Sequence, residues 1–156
     1  MRKIIIMSGI PASGKSTITK QYSKPTDTIL SRDEWRIKYR GGKYTPKERE
    51  AWHESINASL RSLNGDVWID QTTLGMSSLA SLLASINITA NDEVIIYLLN
   101  TPLDECLERN SKRSGNEKVP EKQLKHMYET HTQKPITADG IKAMKLPYKV
   151  TLRTVK

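Results

Sequence analysis

A glycine-rich segment near the start of the sequence has the composition of a phosphate-binding loop. Residues 9–16 read Gly-Ile-Pro-Ala-Ser-Gly-Lys-Ser and fit the pattern G-x-x-x-x-G-K-[ST]. The glycines let backbone N–H groups curl around phosphate oxygens, and a following helix adds partial positive charge. Lys15 can reach the β- and γ-phosphates of a nucleoside triphosphate, and the Ser16 hydroxyl can bind Mg²⁺. The pattern therefore predicts that ATP, or another nucleoside triphosphate, binds together with Mg²⁺.

Two acidic residues stand at the ends of apolar stretches that read as strands. Asp33 follows residues 28–31, where a carboxylate can accept the proton of an attacking hydroxyl or orient it. A structural alternative for Asp33 is the N-cap of a following helix. Asp70 ends another apolar stretch and can hold Mg²⁺ through water or bind the acceptor, with a loop cap as its alternative.

Arginines accompany these acids. Arg36 lies three residues after Asp33, on the same side of a helical turn, and can hold a substrate phosphate by a bidentate contact. Arg109 and Arg113 are one turn apart, and an arginine in a lid stabilises charge on a transferring phosphoryl group. Their position near a helix C-terminus, where the dipole favours cations, is the alternative explanation. With the polar residues 114–118, they predict a mobile lid over roughly residues 109–120.

Length and composition favour a single domain over residues 1–156. The one cysteine, Cys106, allows no internal disulfide, and no apolar run approaches the roughly 20 residues needed to cross a bilayer. We therefore expect a cytoplasmic protein with no membrane partner. Three histidines lack the spacing of a metal site and read as surface or helix-face residues: His53, His126 and His131.

The net charge of +8 is concentrated in the last third of the chain. Residues 109–156 contain 12 Lys and Arg against 4 Asp and Glu, whereas residues 1–108 contain 13 of each kind. A basic surface raises the local concentration of polyanions such as nucleic acid. A lysine-rich surface kept for solubility explains the same excess, and both interpretations remain open at this point.

Apolar periodicity predicts that strands and helices alternate. We expect strands over residues 3–8, 28–31, 67–69, 94–99 and 148–152. We expect helices over residues 15–23, 45–64, 76–86, 101–113 and from residue 120 onward. Thr45 and Glu48 predict a capping box around Pro46, and four apolar residues then recur at helical spacing: Trp52, Ile56, Leu60 and Leu63. This alternation predicts an α/β fold, a doubly wound parallel sheet with its active site beyond the carboxyl ends of the strands.

Together these residues resemble the kinase domain of the T-even phage polynucleotide 5′-kinase/3′-phosphatase family. The resemblance covers most of the chain and rests on residues 9–17, Arg32-Asp33 with Arg36, and Asp70. Its most specific part is Arg-Asn-Ser-Lys-Arg at residues 109–113, followed by Val119-Pro120 and Met127-Tyr128. The resemblance implies a P-loop kinase fold with a helical lid, which uses ATP and Mg²⁺ to phosphorylate the 5′ ends of DNA or RNA.

The resemblance also implies roles for individual residues. Lys15, Ser16 and Thr17 hold the donor phosphates, Asp33 is the general base, and Arg113 acts on the donor from the lid. The whole set expected to bind the donor is Gly9, Ser13, Gly14, Lys15, Ser16, Thr17, Arg109 and Arg113. The set expected at the acceptor is Arg32, Arg36, Asp70, Gln71, Val119 and Pro120. The segment between Arg113 and Val119 is one residue longer than in the family, and Gln71 stands where the phage enzyme has threonine.

Three hypotheses about function follow. The first is a polynucleotide 5′-kinase, and the second is a P-loop kinase of a small molecule such as a nucleoside, a sugar or a toxin-type substrate. The third is a nucleotide-binding protein without turnover, against which Asp33 beside Arg36 argues, because binding alone needs no base. The sequence contains no Asp-x-Asp-Gly-Thr motif, so we expect no 3′-phosphatase activity from it.

Overall fold

The computed structural model of the protein describes residues 2–40, 45–62 and 65–155. Its strands are β1 (Lys3–Ser8), β2 (Thr28–Ser31), β3 (Val67–Asp70), β4 (Glu93–Leu99) and β5 (Lys149–Val155). Its helices are α1 (Lys15–Tyr22), α2 (Arg32–Arg40), α3 (Pro46–Ser62), α4 (Gly75–Ser85), α5 (Leu103–Ser111), α6 (Glu121–Gln133) and α7 (Ala138–Ala143). A short 3₁₀ turn, Gly115–Glu117, lies between α5 and α6. Within the described ranges, no helix has the length and hydrophobicity to cross a membrane.

The strands form one sheet in the order β2-β3-β1-β4-β5, and every neighbouring pair is parallel. The register sets Ser31 of β2 beside Asp70 of β3, and Ile6 of β1 beside Ile69 of β3. The carboxyl ends of three adjacent strands therefore lie together at one edge of the sheet. In an open parallel sheet this edge is where ligands bind.

Both faces of the sheet are apolar because the side chains of β1 alternate between two cores. Ile4 and Ile6 belong to the larger core, which helices α3, α4 and α7 cover. Ile5 and Met7 belong to the smaller core on the opposite face, against which Ile18 of α1 packs. A parallel sheet with helices on both faces confirms the predicted doubly wound α/β fold.

Helix α3 begins as its sequence predicts. The Glu48 N–H donates to Thr45 Oγ1 at 3.1 Å, so Thr45 is the N-cap that precedes Pro46. The reciprocal half of the predicted capping box is wrong, because the Glu48 carboxylate is buried and bonds two arginines of α2 instead. The predicted end of this helix is Asn64-Gly65, and its last apolar residue, Leu63, lies with Asn64 outside the described residues.

Several elements differ from their predicted extent. Strand β5 was expected over residues 148–152 but runs to Val155, and α2 is a helix of nine residues where one turn was expected. The short α7 was not predicted; it starts at Thr137, whose Oγ1 accepts from the Gly140 N–H. The helix predicted from residue 101 begins at Leu103, and the Thr101 hydroxyl donates to the Ser13 carbonyl at 2.6 Å.

Two isoleucines on neighbouring strands allow a matched test of the core. Ile69 of β3 is fully buried and Ile29 of the neighbouring β2 is 43% exposed. We expect Ile69→Ala to lower the free energy of unfolding by about 2–5 kcal/mol, because it removes buried methyl groups and leaves a cavity. Ile29→Ala should lower it by about 1 kcal/mol or less. Urea denaturation of both variants measures the difference, and equal losses would contradict this assignment of the core.

Candidate active site

The phosphate-binding loop lies between β1 and α1, as its sequence predicts. Gly14 has a φ of 102°, in the left-handed region that favours glycine. A Cβ at Gly9 would stand 2.6 Å from Ser13 Oγ, so only glycine allows this close approach. Of the buried side-chain N and O atoms described, Ser13 Oγ alone has no hydrogen-bond partner. A buried hydroxyl without a partner, in a loop whose glycines leave room for a ligand, fits a phosphate oxygen.

The ammonium group of Lys15 lies inside this loop. Its Nζ donates to the Ile10 carbonyl at 2.8 Å. Burial lowers the pKa of Lys15 to about 8, and the nearby carboxylates of Asp70 and Asp33 oppose that shift. The Arg113 guanidinium lowers the same pKa further. These causes show that three residues predicted from separate parts of the sequence lie in the electrostatic neighbourhood of Lys15.

Asp70 and Ser16 form the second element of the site. Ser16 Oγ donates to Asp70 Oδ2 at 2.9 Å, and Asp70 is 9% exposed. Burial raises the pKa of Asp70, whereas Lys15 and the Ser16 hydrogen bond lower it. A hydroxyl and a carboxylate in contact beside a phosphate cradle are oxygen ligands of the kind that Mg²⁺ prefers. The two residues therefore fit Mg²⁺, which when bound neutralises charge on the donor phosphates.

Asp33 lies in the first turn of α2, just beyond the carboxyl end of β2. The helix already includes Arg32, and the Glu34 N–H bonds Ser31 Oγ at 3.4 Å, so the alternative of an N-cap at Asp33 is wrong. The Asp33 side chain is 89% exposed, and one of its oxygens lies 3.3 Å from Arg36 Nη1. The carboxylate thus points into solvent near the phosphate cradle, where an incoming hydroxyl can meet it. Its catalytic role stays a prediction.

Behind Asp33, a buried carboxylate binds two arginines of α2, Arg32 and Arg36. Glu48 of α3 is 0% exposed; its Oε2 lies 3.0 Å from Arg32 Nη2, and its Oε1 lies 3.3 Å from Arg36 Nε. The sequence predicts Glu48 as the acid of a capping box and does not predict this contact. An acid in the first turn of a helix is explained by the helix start alone, so the sequence carries no separate signal for its arginine partners.

The lid residues approach the donor side. Arg109 of α5 donates from Nη1 to the Ala12 carbonyl at 3.3 Å. Arg109 and Arg113 line one cavity of about 290 Å³ together with residues of the phosphate loop, α1 and β4, including Gly14, Thr17 and Leu99. Arg113 itself lies beyond the end of α5, and its Nη1 is 3.4 Å from the Glu117 carbonyl. The cavity has the position expected for the nucleotide.

The buried Asn110 holds the segment between α5 and α6 by two hydrogen bonds to one residue of it. Its side-chain Nδ2 donates to the Val119 carbonyl at 2.7 Å, and its Oδ1 accepts from the Val119 N–H at 2.9 Å. The neighbouring Pro120 is the N-cap residue of α6. This paired bond fixes the backbone of Val119-Pro120, the two residues expected beside the terminal base. Contact with a base stays a prediction.

Gln71 and His131 face the interior rather than the cleft surface. Gln71 Oε1 accepts from Trp52 Nε1 at 2.7 Å, and its Nε2 donates to Thr73 Oγ1 at 3.0 Å. The predicted contact of Gln71 with substrate therefore competes with two protein partners. His131 was expected at a surface or on a helix face, but it is buried, and its Nε2 lies 3.0 Å from the Leu99 carbonyl. Burial lowers the pKa of His131; the hydrogen bond to the Leu99 carbonyl opposes this shift, and the charge of Lys15 adds to it.

The lowered pKa of Lys15 makes a prediction about stability without nucleotide. Between about pH 8 and pH 10.5 the unfolded chain holds this proton and the folded protein does not, so the Lys15 contribution to stability rises with pH. We expect Lys15→Met to be more stable than the wild type at pH 7 by about 1–3 kcal/mol. The difference should shrink toward pH 10.5. Urea denaturation measures it; the exposed Lys20→Met on the same helix is the control, and an equal pH trend in both variants would contradict the prediction.

The chain is similar in sequence or in fold to several known proteins. An L-seryl-tRNA(Sec) kinase from Methanococcus maripaludis is 30% identical over 139 residues, which covers 81% of this chain and 51% of that protein. A chain in the structure of the Pnkp1/Rnl/Hen1 RNA repair complex superposes with a TM-score of 0.70 at 21% identity, covering 95% of this chain and 47% of that one. A gluconokinase from Sinorhizobium meliloti superposes with a TM-score of 0.59 at 19% identity, covering 99% of this chain and 85% of that one.

At these identities the two structural likenesses establish the fold alone. This chain spans about half the length of the seryl-tRNA kinase and of the repair-complex chain. The sequence model of one protein family, described as an AAA domain, matches residues 4–134. That match contains the phosphate loop, Asp33, Asp70 and the lid arginines. The chain therefore belongs to this AAA domain family, with the fold of a P-loop kinase.

Proposed function

We propose that this domain transfers the γ-phosphate of ATP, or another nucleoside triphosphate, to the 5′-hydroxyl end of DNA or RNA. The observation that carries the proposal is the exposed Asp33 carboxylate, held beside Arg36 at the carboxyl edge of the sheet and close enough to Lys15 to influence its pKa. A hydroxyl acceptor needs a base at this position, and the phosphate on the 3′ side of a terminal nucleotide needs a cation nearby.

In the proposed reaction each group has one task. Asp33 accepts the proton of the 5′-hydroxyl as its oxygen attacks the γ-phosphorus, and the bond from that phosphorus to the bridging oxygen breaks. Lys15 and Arg113 stabilise the negative charge on the transferring group. Arg36 binds the acceptor phosphate by part of its guanidinium. Ser16 and Asp70 would hold Mg²⁺.

The comparisons support a nucleic-acid acceptor without specifying it. The Methanococcus relative is a kinase of seryl-tRNA, and the Pnkp1/Rnl/Hen1 assembly is an RNA repair complex. The basic last third of the chain has the charge that a polyanion requires. The likeness to the phage kinase domain in residues 109–113 and 119–120 points to a 5′ end. The whole protein's partners and its cytoplasmic location belong to the same proposal.

A small-molecule acceptor is the second candidate. The gluconokinase structure favours it, because nearly all of this chain superposes on 85% of that enzyme. Both candidates use the same donor site and the same base. They differ in whether the acceptor carries phosphates beyond the reacting sugar.

The general base is tested by Asp33→Asn, which keeps the shape of the side chain and removes the proton acceptor. We expect kcat to fall about 10²-fold or more, the lower end of what a general base contributes. Because Ser31 supplies the helix cap, ATP affinity should stay nearly unchanged. Glu34→Gln, the adjacent exposed acid on α2, is the matched control and should retain most activity. Full activity of Asp33→Asn with weakened ATP binding would show that Asp33 has another role.

The acceptor is tested with a panel in the presence of ATP and Mg²⁺: 5′-hydroxyl DNA and RNA oligomers, a nucleoside 3′-monophosphate, a free nucleoside, gluconate and seryl-tRNA. We expect kcat/KM at least about tenfold higher for an oligomer than for the nucleoside, equivalent to about 1.4 kcal/mol. Oligomer binding should weaken as salt rises, and the logarithm of the binding constant should fall with the logarithm of the salt concentration with a slope of about −0.7 per phosphate contact. Equal use of nucleoside and oligomer, or better use of gluconate, would overturn the proposal in favour of a small-molecule kinase.

A further inference from the structure

The carboxylate of Glu48 is a buried charge that the proposed reaction does not use directly. It lies in the first turn of α3 and has no exposed surface. Its partners Arg32 and Arg36 precede it by 16 and 12 residues and belong to another helix, α2. Thr45 already caps α3, so the helix start does not require this carboxylate. Burial of charge is costly, and well-packed apolar residues often replace buried ion pairs without loss of stability. The arrangement therefore calls for an explanation other than stability.

Both oxygens of Glu48 are engaged, which fixes the plane of its carboxylate. Oε2 lies 3.0 Å from Arg32 Nη2, and Oε1 lies 3.4 Å from Arg32 Nε and 3.3 Å from Arg36 Nε. A guanidinium is planar and rigid, so a fixed Nε edge also fixes the direction of its Nη atoms. The orientation of Arg36 is thus set from the interior of the protein.

Arg36 connects this buried anchor to the exposed base. Its side chain is 17% exposed, and its Nη1 lies 3.3 Å from an oxygen of Asp33, whose side chain is 89% exposed. An exposed aspartate without an oriented neighbour samples several rotamers, and each lost rotamer costs conformational entropy. The series of contacts Glu48–Arg36–Asp33 reduces that freedom before the acceptor arrives.

We propose that Glu48 is a positioning residue of this kinase: through Arg36 it orients both the Asp33 carboxylate and the cation that binds the acceptor. The proposal rests on the proposed function for the roles of Asp33 and Arg36. It assigns Glu48 to the acceptor side of the site alone. Among the described residues, the hydrogen bonds of the Glu48 carboxylate go to Arg32 and Arg36 of α2 and not to the phosphate loop or α5, which form the donor side.

The test is a double-mutant cycle of Glu48→Gln and Arg36→Ala, measured with whichever acceptor of the panel the wild type uses best. We expect Glu48→Gln to raise the acceptor KM at least about tenfold and to change the KM for ATP less than about twofold. In the Arg36→Ala background the same substitution should change the acceptor KM less than about twofold, because its effect passes through Arg36. Glu54→Gln, which removes an exposed ion pair with Arg61 on the same helix, is the matched control and should behave as the wild type.

A second measurement needs no substrate. In the wild type the Arg36 Nε–H should give a sharp NMR signal with slow solvent exchange, and Glu48→Gln should broaden or lose it while Glu54→Gln preserves it. If Glu48→Gln folds too poorly to measure, Glu48→Asp, which keeps the charge on a shorter side chain, replaces it in both experiments.

The outcomes separate this inference from the proposed function. Additive effects in the cycle, or loss of ATP binding in Glu48→Gln, would show a structural role and overturn the inference, whatever the acceptor is. An unchanged Nε–H signal in Glu48→Gln would also overturn it. A best acceptor without phosphate would overturn the polynucleotide proposal, and the cycle with that acceptor would still decide the role of Glu48.

Discussion

The site depends on how the carbonyl groups of the phosphate loop are satisfied. Lys15 binds the Ile10 carbonyl, Arg109 binds the Ala12 carbonyl, and the Thr101 hydroxyl binds the Ser13 carbonyl. Each bond holds one peptide unit of the loop in a fixed orientation. Two of the donors, Thr101 and Arg109, follow β4 in the sequence and are distant from the loop along the chain. The loop therefore takes this shape only when the sheet and α5 are assembled.

The charges of the site are arranged in two groups that meet at the strand ends. On the donor side, the partly buried Lys15 is balanced by Asp70 and by Asp33, which raise its pKa against the effect of burial. On the acceptor side, Glu48 offsets Arg32 and Arg36. A charge inside a protein is stable only where such partners replace water. This requirement explains why acids and bases alternate around the cleft.

The proposed division between donor and acceptor sides also fits the range of similar proteins. A seryl-tRNA kinase, a gluconokinase and a chain of an RNA repair complex resemble this chain in sequence or fold, although their names indicate different acceptors. Function within one fold is decided by the residues placed around it. In this chain the residues proposed to bind or position the acceptor lie on α2, at the start of α3 and in the segment between α5 and α6.

The sequence by itself determined the local features. The phosphate loop, the alternation of strands and helices and the Thr45 cap each depend on residues close together in the chain, so their patterns are readable without a structure. The positions of Asp33 and Asp70 at one edge followed from the rule that parallel strands end together.

Only the tertiary structure decided which side chains meet. Glu48 bonds residues of another helix, Thr101 bonds a carbonyl 88 residues away, and His131 lies buried against a carbonyl 32 residues away. The same residues have adequate local explanations, as a capping acid, a helix-start threonine and a surface histidine. Local propensity is weak beside the cost of burying an unpaired polar group, so the partners available in the fold determine the orientation of each side chain.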